Sequence, residues 1–248
     1  MEREIKILYL YPDMLELYGD YGNIQVLKYR IESRGYTATI DRYSIGDNAP
    51  DFCDYDIVFA GGGADNEQSI LAEDLVKYKD NIKQAIDNGV FFLLICGAYQ
   101  LFGKYYKGVE GNIIPGLEIF DYYTEAINDR KKRCIGNIVI DVNLNGISTK
   151  VIGFENHGGQ TFNISKPFGK VLFGNGNKFA DTEEGFFDKN VIATYLHGPL
   201  LSKNPELSDY IIKYCLDRKY DENFALEPLN DEFENLCREQ LLNRFLSN

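Results

Sequence analysis

The sequence predicts an α/β protein built around a central, mostly parallel sheet. Short apolar runs alternate with segments of helical spacing along the first half of the chain, and this order is typical of a sheet covered on both faces by helices. The runs are apolar throughout, as expected for strands that are buried on both faces. With 248 residues the chain can also bury a substantial core.

In the first half, predicted strands and helices follow one another in turn. The first strand, IKILYLY (5–11), precedes a helix from Ile24 to Arg34, which Asn23 can cap. Apolar residues at helical spacing predict a second helix from Glu67 to Asn88. The other strands of this half are TATIDRY (37–43), DIVFAGG (56–62) and VFFLLI (90–95).

In the second half, shorter strands separated by Gly and Asn predict a mixed or antiparallel extension of the sheet. The pattern of the first half then returns, with a buried strand, VIATYL (191–196), followed by an amphipathic helix from Pro205 to Lys219. The short strands are NIVIDVN (137–143), KVIGFEN (150–156) and KVLFGNG (170–176).

The last residues predict a separate helix, so we divide the chain into a main domain (1–220) and a C-terminal helical extension (221–248). Apolar residues on this helix, from Leu229 to Phe245, are spaced as a stripe. Such a stripe favours packing on the helix's own domain, and a protein interface is the alternative.

The composition excludes several classes of protein. A formal net charge of -12 argues against nucleic acid as a partner and disfavours anionic membrane surfaces. No apolar stretch approaches the roughly 18 residues of a membrane span, and the N-terminus does not resemble a signal peptide. Five widely spaced Cys without a CxxC pair indicate reduced thiols. We therefore expect a cytoplasmic protein without a metal site.

Cys96 is the candidate nucleophile. It stands where the strand VFFLLI ends and a helix is expected to begin, and small residues follow it in LLICGAYQLFG (93–103). This is the pattern of a nucleophile elbow, in which a sharp strand-to-helix turn exposes a reactive side chain. The helix N-terminus would also favour the thiolate. From this pattern alone, a buried and inert thiol is an equally open interpretation.

A thiol nucleophile needs a base and donors for an oxyanion. The chain has two histidines, and His197 is favoured over His157 because it follows a predicted strand. The glycine run after DIVFA lies at another strand end, so Gly62 and Gly97 are our candidates for the two backbone donors. The run is not a Walker loop, because no GK[ST] follows it.

Together these features resemble the class I (triad-type) glutamine amidotransferases. The matching parts are Gly61–Gly63, CGAYQ (96–100) and YLHGP (195–199), and the last two are similar to the cobyric-acid-synthase-like branch. Within that branch the chain looks most similar to the GatD-type glutaminase subunits of lipid II isoglutaminyl synthases. The supporting segments are YPDMLELYGDYGNI (11–24), GGGADNEQ (61–68), KRCIG (132–136), GFENHGG (153–159) and ATYLHGPLLSKNPELSD (193–209).

The resemblance implies hydrolysis of L-glutamine to glutamate and ammonia. Cys96 would attack the carboxamide, and His197 would protonate the departing ammonia and then activate water against the thioester. Arg133 would hold the substrate α-carboxylate, which suits a guanidinium fork, and Gln100 would also bind substrate. By its position in DRKKR alone, Arg133 could instead be a solvated charge, and Arg130 is the alternative arginine.

The third member of a catalytic triad is not evident in the sequence. Many class I enzymes carry Glu two residues after the histidine, but here that position is Pro199, and Glu206 and Asp209 lie too far along. The sequence therefore supports only a Cys96–His197 pair. A backbone carbonyl or an acid from a partner protein could orient the histidine.

The resemblance further implies a flavodoxin-like fold for residues 1–220 and a partner that consumes ammonia. No ATP-binding motif occurs in the chain, so we expect no cofactor here, and ATP and Mg²⁺ on a Mur-ligase-like (MurT-type) synthetase subunit. The acceptor would be the α-carboxyl of D-glutamate in lipid II, an intermediate of peptidoglycan biosynthesis.

Three other functions stay open at this point. The chain could be a glutaminase that serves another synthetase, such as a corrinoid amidase. It could be a non-catalytic binding or scaffold module of the same fold, or a cysteine hydrolase of another amide.

Overall fold

The computed structural model describes residues 3–247, with every side chain in that range except that of Asp65. None of the helices in this range is both long and apolar enough to cross a bilayer. The helices are α1 (Tyr21–Glu32), α2 (Asp65–Leu75), α3 (Lys79–Asp87), α4 (Gly97–Phe102), α5 (Pro205–Tyr220) and α6 (Glu232–Leu246). The strands are β1 (Glu4–Leu10), β2 (Thr37–Tyr43), β3 (Ile57–Ala60), β4 (Phe91–Ile95), β5 (Tyr105–Lys107), β6 (Ile113–Pro115), β7 (Tyr123–Ala126), β8 (Cys134–Leu144), β9 (Ile147–His157), β10 (Gly159–Phe162), β11 (Gly169–Phe173), β12 (Glu183–Glu184), β13 (Phe186–Asp188) and β14 (Val191–Thr194).

The central sheet has the strand order β13-β14-β4-β3-β1-β2. Its neighbouring strands run parallel, except that β13 is antiparallel to β14. Without β13, the order is that of the flavodoxin-like folds. Helices α1 and α5 pack against each other, as do α2 and α4, and β3, β4 and β14 are buried along their whole length. The predicted fold class is therefore confirmed.

The second half supplies two smaller sheets, with strand orders β10-β7-β5-β6 and β12-β11-β8-β9. The long pair β8 and β9 is antiparallel from Cys134 opposite His157 to Leu144 opposite Ile147. Asn145 and Gly146 connect these strands with positive φ angles, as a tight hairpin turn requires. The open end of the hairpin therefore brings the segments around residues 133 and 157 together.

Two helices differ from the sequence-based expectation. Helix α1 begins at Tyr21, so Asn23 lies inside its first turn and is not its cap. The buried Asn23 side chain donates to the Asp20 carbonyl at 3.0 Å and accepts the Leu201 N–H at 2.9 Å. The helix predicted over residues 67–88 is divided into α2 and α3 by a 3-10 turn at Val76–Tyr78.

Helix α6 lies on the surface of the rest of the chain. No described residue of α6 is buried, and Phe233 is 77% exposed. Near the other end, Phe245 stacks on Phe173 of β11 with 5.1 Å between ring centroids. Arg238, in the middle of the helix, donates to the Thr149 hydroxyl at 2.8 Å, and α6 also contacts the 3-10 turn Leu200–Lys203. The helix therefore lies against its own domain without burying any of its described residues. The domain boundary at residue 220 stays a prediction.

An ion-pair cluster around Arg30 ties the segment before α6 to the core. The Arg30 side chain is 4% exposed and donates to Asp209 at 2.7 and 2.8 Å and to Asp231 at 2.6 and 2.9 Å. Arg34 donates to Asp209 at 2.7 Å and to the Glu227 carbonyl at 2.7 Å. Two bidentate carboxylates satisfy the buried guanidinium. The cluster therefore fixes where the chain leaves the core to form α6.

We expect Arg30→Met to destabilise the protein by about 3 kcal/mol, because it leaves Asp231 without its cation and Asp209 with Arg34 alone. The measurement is urea unfolding followed by circular dichroism. Lys28→Ala is the matched control, since Lys28 lies on the same helix in an exposed ion pair with Glu32 at 3.8 Å and should cost less than about 1 kcal/mol. Equal unfolding midpoints for the two variants would contradict the role given to Arg30.

Candidate active site

Cys96 lies in a tight turn between β4 and α4. Its φ of 52° and ψ of -102° are rare for a residue with a side chain. The Cys96 N–H donates to the Thr194 carbonyl at 2.8 Å, and its own carbonyl accepts the Gln100 N–H at 3.0 Å. The thiol thus stands at the carboxyl edge of the sheet before a helix N-terminus, with the backbone strain of a nucleophile elbow.

His197 follows β14, the strand next to β4. Its backbone is held by an antiparallel bridge with Phe154 of β9, through hydrogen bonds of 2.9 and 3.0 Å. The ring is fully buried, and its Nε2 has no partner of good hydrogen-bond geometry among the described residues. A Cβ placed on Gly62 would lie 2.8 Å from Cε1 of His197 and 3.4 Å from Cβ of Cys96. The ring and the thiol therefore flank the same glycine.

A carboxylate of this chain orients His197. Nδ1 of His197 lies 3.0 and 3.1 Å from the two carboxylate oxygens of Asp20. Asp20 is fully buried. Although burial lowers the pKa of His197, the hydrogen bond with Asp20 and the proximity of Cys96 raise that pKa well above its ordinary value. The expectation that this orienting group is a backbone carbonyl or a partner's acid is therefore corrected to Asp20.

The structure also revises the oxyanion donors. The Gly62 N–H donates to the Asp20 carboxylate at 2.8 Å, so it is not free to bind an oxyanion. Gly63 lines the pocket instead. Its nitrogen is 2.9 Å from the position that a Cβ would occupy if Gly97 carried a side chain. Gly97 is the first residue of α4, where an N–H has no acceptor within the helix. Gly63 therefore replaces Gly62 as a candidate donor, and the donor role of Gly97 stays a prediction.

A pocket of about 460 Å³ opens beside Cys96 and contains the predicted substrate-binding residues. Gln100 lies in its wall and donates to the Tyr195 hydroxyl at 3.1 Å. Arg133, and not Arg130, lines the pocket, and its guanidinium donates to Oδ1 of Asn156 at 3.0 and 3.2 Å. The roles of Gln100 and Arg133 stay predictions, and their positions suit a substrate that reaches from Cys96 towards a cation.

His157 lines the same pocket. Its Nδ1 donates to the Gly159 carbonyl at 2.7 Å, and its ring stacks on Tyr195 with 3.7 Å between centroids. Burial lowers the pKa of His157 to about 4. His157 is therefore neutral at physiological pH, and its Nε2 is an acceptor.

Tyr18 covers the outer side of His197. The two rings meet edge to face at 4.8 Å, and the Tyr18 hydroxyl accepts from Nδ2 of Asn156 at 2.6 Å. The Leu17 N–H donates to the Gly62 carbonyl at 3.1 Å. The segment YGDYGN (18–23), to which the sequence assigned no role, thus supplies both a cover for the histidine and the acid that orients it.

The other cysteines lack the features of Cys96. Burial raises the pKa of the Cys134 thiol to about 12 and that of Cys215 well above its ordinary value. Cys53 lies in a 3-10 turn and Cys237 on the exposed helix α6. Of the five, only Cys96 follows a strand of the central sheet and lines the pocket.

The sequence matches the CobB/CobQ-like glutamine amidotransferase domain over residues 6–205. The chain belongs to this family. The match confirms the family and the enzyme class that the motifs indicated.

Two relatives extend over most of the chain. The "Lipid II isoglutaminyl synthase (glutamine-hydrolyzing) subunit GatD" of Staphylococcus aureus (strain N315) is 38% identical and covers 97% of this chain and 96% of that protein. The subunit of the same name from Streptococcus pneumoniae (strain ATCC BAA-255 / R6) is 40% identical, over 92% and 86% respectively. A crystal structure of a glutamine amidotransferase, 12% identical, covers 84% of this chain and 98% of that one with a TM-score of 0.53. That last likeness concerns the fold alone.

Sequence reasoning missed Asp20 because it looked for the acid near His197, whereas Asp20 lies 177 positions away. A signal was nevertheless present. Asp20 lies in the loop after β1, and β1 neighbours β3, whose own loop carries the glycines. Because the carboxyl ends of parallel strands meet at one edge of the sheet, an acid in that loop was a candidate.

We expect Asp20→Asn to lower glutamine-dependent ammonia release by about 10²–10⁴-fold, because an amide can donate to Nδ1 and impose the wrong tautomer on His197. Asp13→Asn is the matched control, since Asp13 lies in the same loop and accepts from Ser44 at 2.8 Å. Ammonia release within twofold of the original protein for Asp20→Asn would exclude the orienting role.

We expect stability to fall as the pH rises towards 8, through Glu184. This buried carboxyl accepts from Thr194 and from the Tyr195 N–H, and burial raises its pKa to about 8 from 4.5. The folded state thus favours the neutral acid. The contribution of Glu184 to the free energy of unfolding is fully present below pH 4.5 and is lost as the pH rises through 8.

The corresponding experiment measures urea unfolding midpoints between pH 5 and 9. Glu184→Gln should flatten the pH dependence by up to about 1.4 kcal/mol per pH unit. Glu183→Gln changes the exposed neighbour and should leave the slope as it is. An unchanged slope for Glu184→Gln would show that this carboxyl is not the titrating group.

Proposed function

We propose that this protein is the glutaminase subunit of a lipid II isoglutaminyl synthase. The observation that carries the proposal is the likeness to two GatD subunits over more than nine tenths of the chain. The site supports it, because Cys96, His197 and Asp20 meet beside a pocket at the carboxyl edge of the sheet. This arrangement is suited to acyl transfer through a thioester.

In the first half of the proposed reaction, the Cys96 thiolate attacks the γ-carboxamide carbon of L-glutamine. The negative charge on the carboxamide oxygen is stabilised by the N–H groups of Gly63 and Gly97. His197, held by Asp20, then gives a proton to the nitrogen, the C–N bond breaks and ammonia leaves. The enzyme is left as a γ-glutamyl thioester.

In the second half, His197 is neutral and takes a proton from water. The resulting hydroxide adds to the thioester carbonyl, and glutamate leaves as the thiolate is restored. Arg133 holds the substrate α-carboxylate throughout, and Gln100 also contacts the bound glutamine and positions it. Because Asp20 belongs to this chain, a partner is not required to orient His197.

The proposed partner is a Mur-ligase-like synthetase subunit of the MurT type. Ammonia alone does not amidate a carboxylate, so the acceptor must be activated, and in this scheme ATP and Mg²⁺ are bound by that partner. The acceptor is the α-carboxyl of D-glutamate in lipid II, and the reaction takes place in the cytoplasm. The two relatives are themselves named as subunits of a lipid II isoglutaminyl synthase.

We expect the protein, purified together with a Mur-ligase-like subunit of the same organism, to amidate lipid II with glutamine as the nitrogen source. In this complex Cys96→Ala should abolish glutamine-dependent amidation and preserve amidation from added ammonium, because only the glutaminase step needs the thiol. Cys237→Ala, at the exposed position on α6, should behave as the original protein. Mass spectrometry of the lipid II stem peptide gives the readout.

Two results would decide against the proposal. Glutamine-dependent amidation by the Cys96→Ala complex would remove Cys96 from the mechanism. Glutamine hydrolysis without amidation of lipid II, with ammonium equally ineffective, would indicate that the protein supplies a different synthetase.

A further inference from the structure

Gln68 is a buried amide whose side chain is only half satisfied. It lies in the first turn of α2, is 2% exposed and lines the pocket beside Cys96. Its Nε2 donates to the Gly63 carbonyl at 3.1 Å. Its Oε1 is buried and has no hydrogen-bond partner among the residues that the structure describes. The catalytic steps above do not use this side chain.

The orientation of the amide follows from its neighbour. The Gly63 carbonyl is an acceptor, so the atom that faces it must be the NH₂ group, because two oxygens at this distance would repel each other. Oε1 is therefore on the other side of the amide, as an acceptor without a donor. A buried acceptor is costly to leave unpaired, so a donor from a bound ligand is the expected partner.

The position of Gln68 identifies which end of the ligand it meets. Its Nε2 lies 3.1 Å from the place of a Cβ on Gly97, the residue after Cys96. Arg133 lies at the other end, where its guanidinium is 3.2 Å from the place of a Cβ on Gly158. When the α-carboxylate of glutamine is bound by Arg133, its carboxamide is at the Cys96 end. The donor at that end is the carboxamide NH₂.

We propose that Oε1 of Gln68 accepts a hydrogen bond from the carboxamide nitrogen of the substrate and makes the site selective for an amide over a carboxylate. This inference rests on the proposed glutaminase function. The contact fixes one N–H of the leaving nitrogen and keeps that nitrogen oriented towards His197. The product glutamate carries an oxygen at the same place, which repels Oε1, so the contact that holds the substrate also favours release of the product.

The experiment compares the KM for glutamine with the inhibition constant of glutamate in the partner-bound protein. Gln68→Met keeps the length of the side chain and removes its acceptor, together with the donor to the Gly63 carbonyl. We expect the KM for glutamine to rise about tenfold or more, as for an unpaired buried group, while glutamate binds as before or more tightly. The ratio of the glutamate inhibition constant to the glutamine KM should therefore fall at least about tenfold.

Gln68→Glu provides a second variant with the opposite expectation. Its carboxylate can still accept from the carboxamide NH₂, and it repels the glutamate side chain more strongly, so the same ratio should rise. Its second oxygen replaces the donor to the Gly63 carbonyl, and the resulting repulsion weakens glutamine and glutamate alike. Ser69→Ala, at the exposed next position of α2, should leave the ratio unchanged. A general disturbance of the glycine segment would weaken glutamine and glutamate in parallel and would not move the ratio in opposite directions.

The outcomes separate this inference from the function on which it rests. If the unaltered protein releases ammonia and the ratio is constant in both Gln68 variants, the amide-selective role is wrong and the glutaminase stands. If the unaltered complex releases no ammonia from glutamine, the proposed function fails and this inference fails with it. Should one variant not fold, the ratio measured with the other decides.

Discussion

The site depends on one buried carboxylate, that of Asp20. It contacts Nδ1 of His197 and accepts the N–H of Gly62, so a single side chain joins the loops after β1, β3 and β14. An ionised group without solvent is stable only when its oxygens are paired. Here the histidine and the glycine amide are its partners, and the need to pair them fixes the distance between the three loops. Cys96, on the fourth loop of this edge, is then placed against a histidine that cannot turn away.

Close backbone packing makes this junction possible. A side chain on Gly62 would collide with His197, and one on Gly97 would collide with the nitrogen of Gly63. The glycine run after β3 is therefore required by the space between the histidine, the thiol and the first residue of α4. Within this tightly packed segment, neighbouring peptide groups cannot all face the pocket. The N–H of Gly62 therefore points to the Asp20 carboxylate, whereas Gly63 lies at the pocket.

The residues proposed for the chemistry and those proposed for substrate binding belong to two parts of the fold. The parallel sheet holds Cys96 and His197 at its carboxyl edge, whereas the open end of the antiparallel hairpin β8–β9 carries Arg133, Asn156 and His157 at the outer wall. The two parts are joined where Phe154 pairs with the backbone of His197. Through this bridge, strand β9, which ends near the outer wall of the pocket, also holds the backbone of His197. His197 and the Arg133 guanidinium are therefore positioned by the same hairpin.

The sequence by itself determined the local features: buried parallel strands, the elbow at Cys96, a histidine at another strand end, and the family through several short segments. These follow from periodicity and from residue types that are adjacent in the chain. Only the tertiary structure showed that Asp20 contacts His197, that Gly63 and not Gly62 lies at the pocket, and that an acceptor of Gln68 has no partner among the described residues. Each of these depends on a contact made in space, often between residues far apart in the sequence, and on the direction of a single N–H or carboxylate oxygen. Such directions are set by how the loops pack against one another, which no spacing along the chain records.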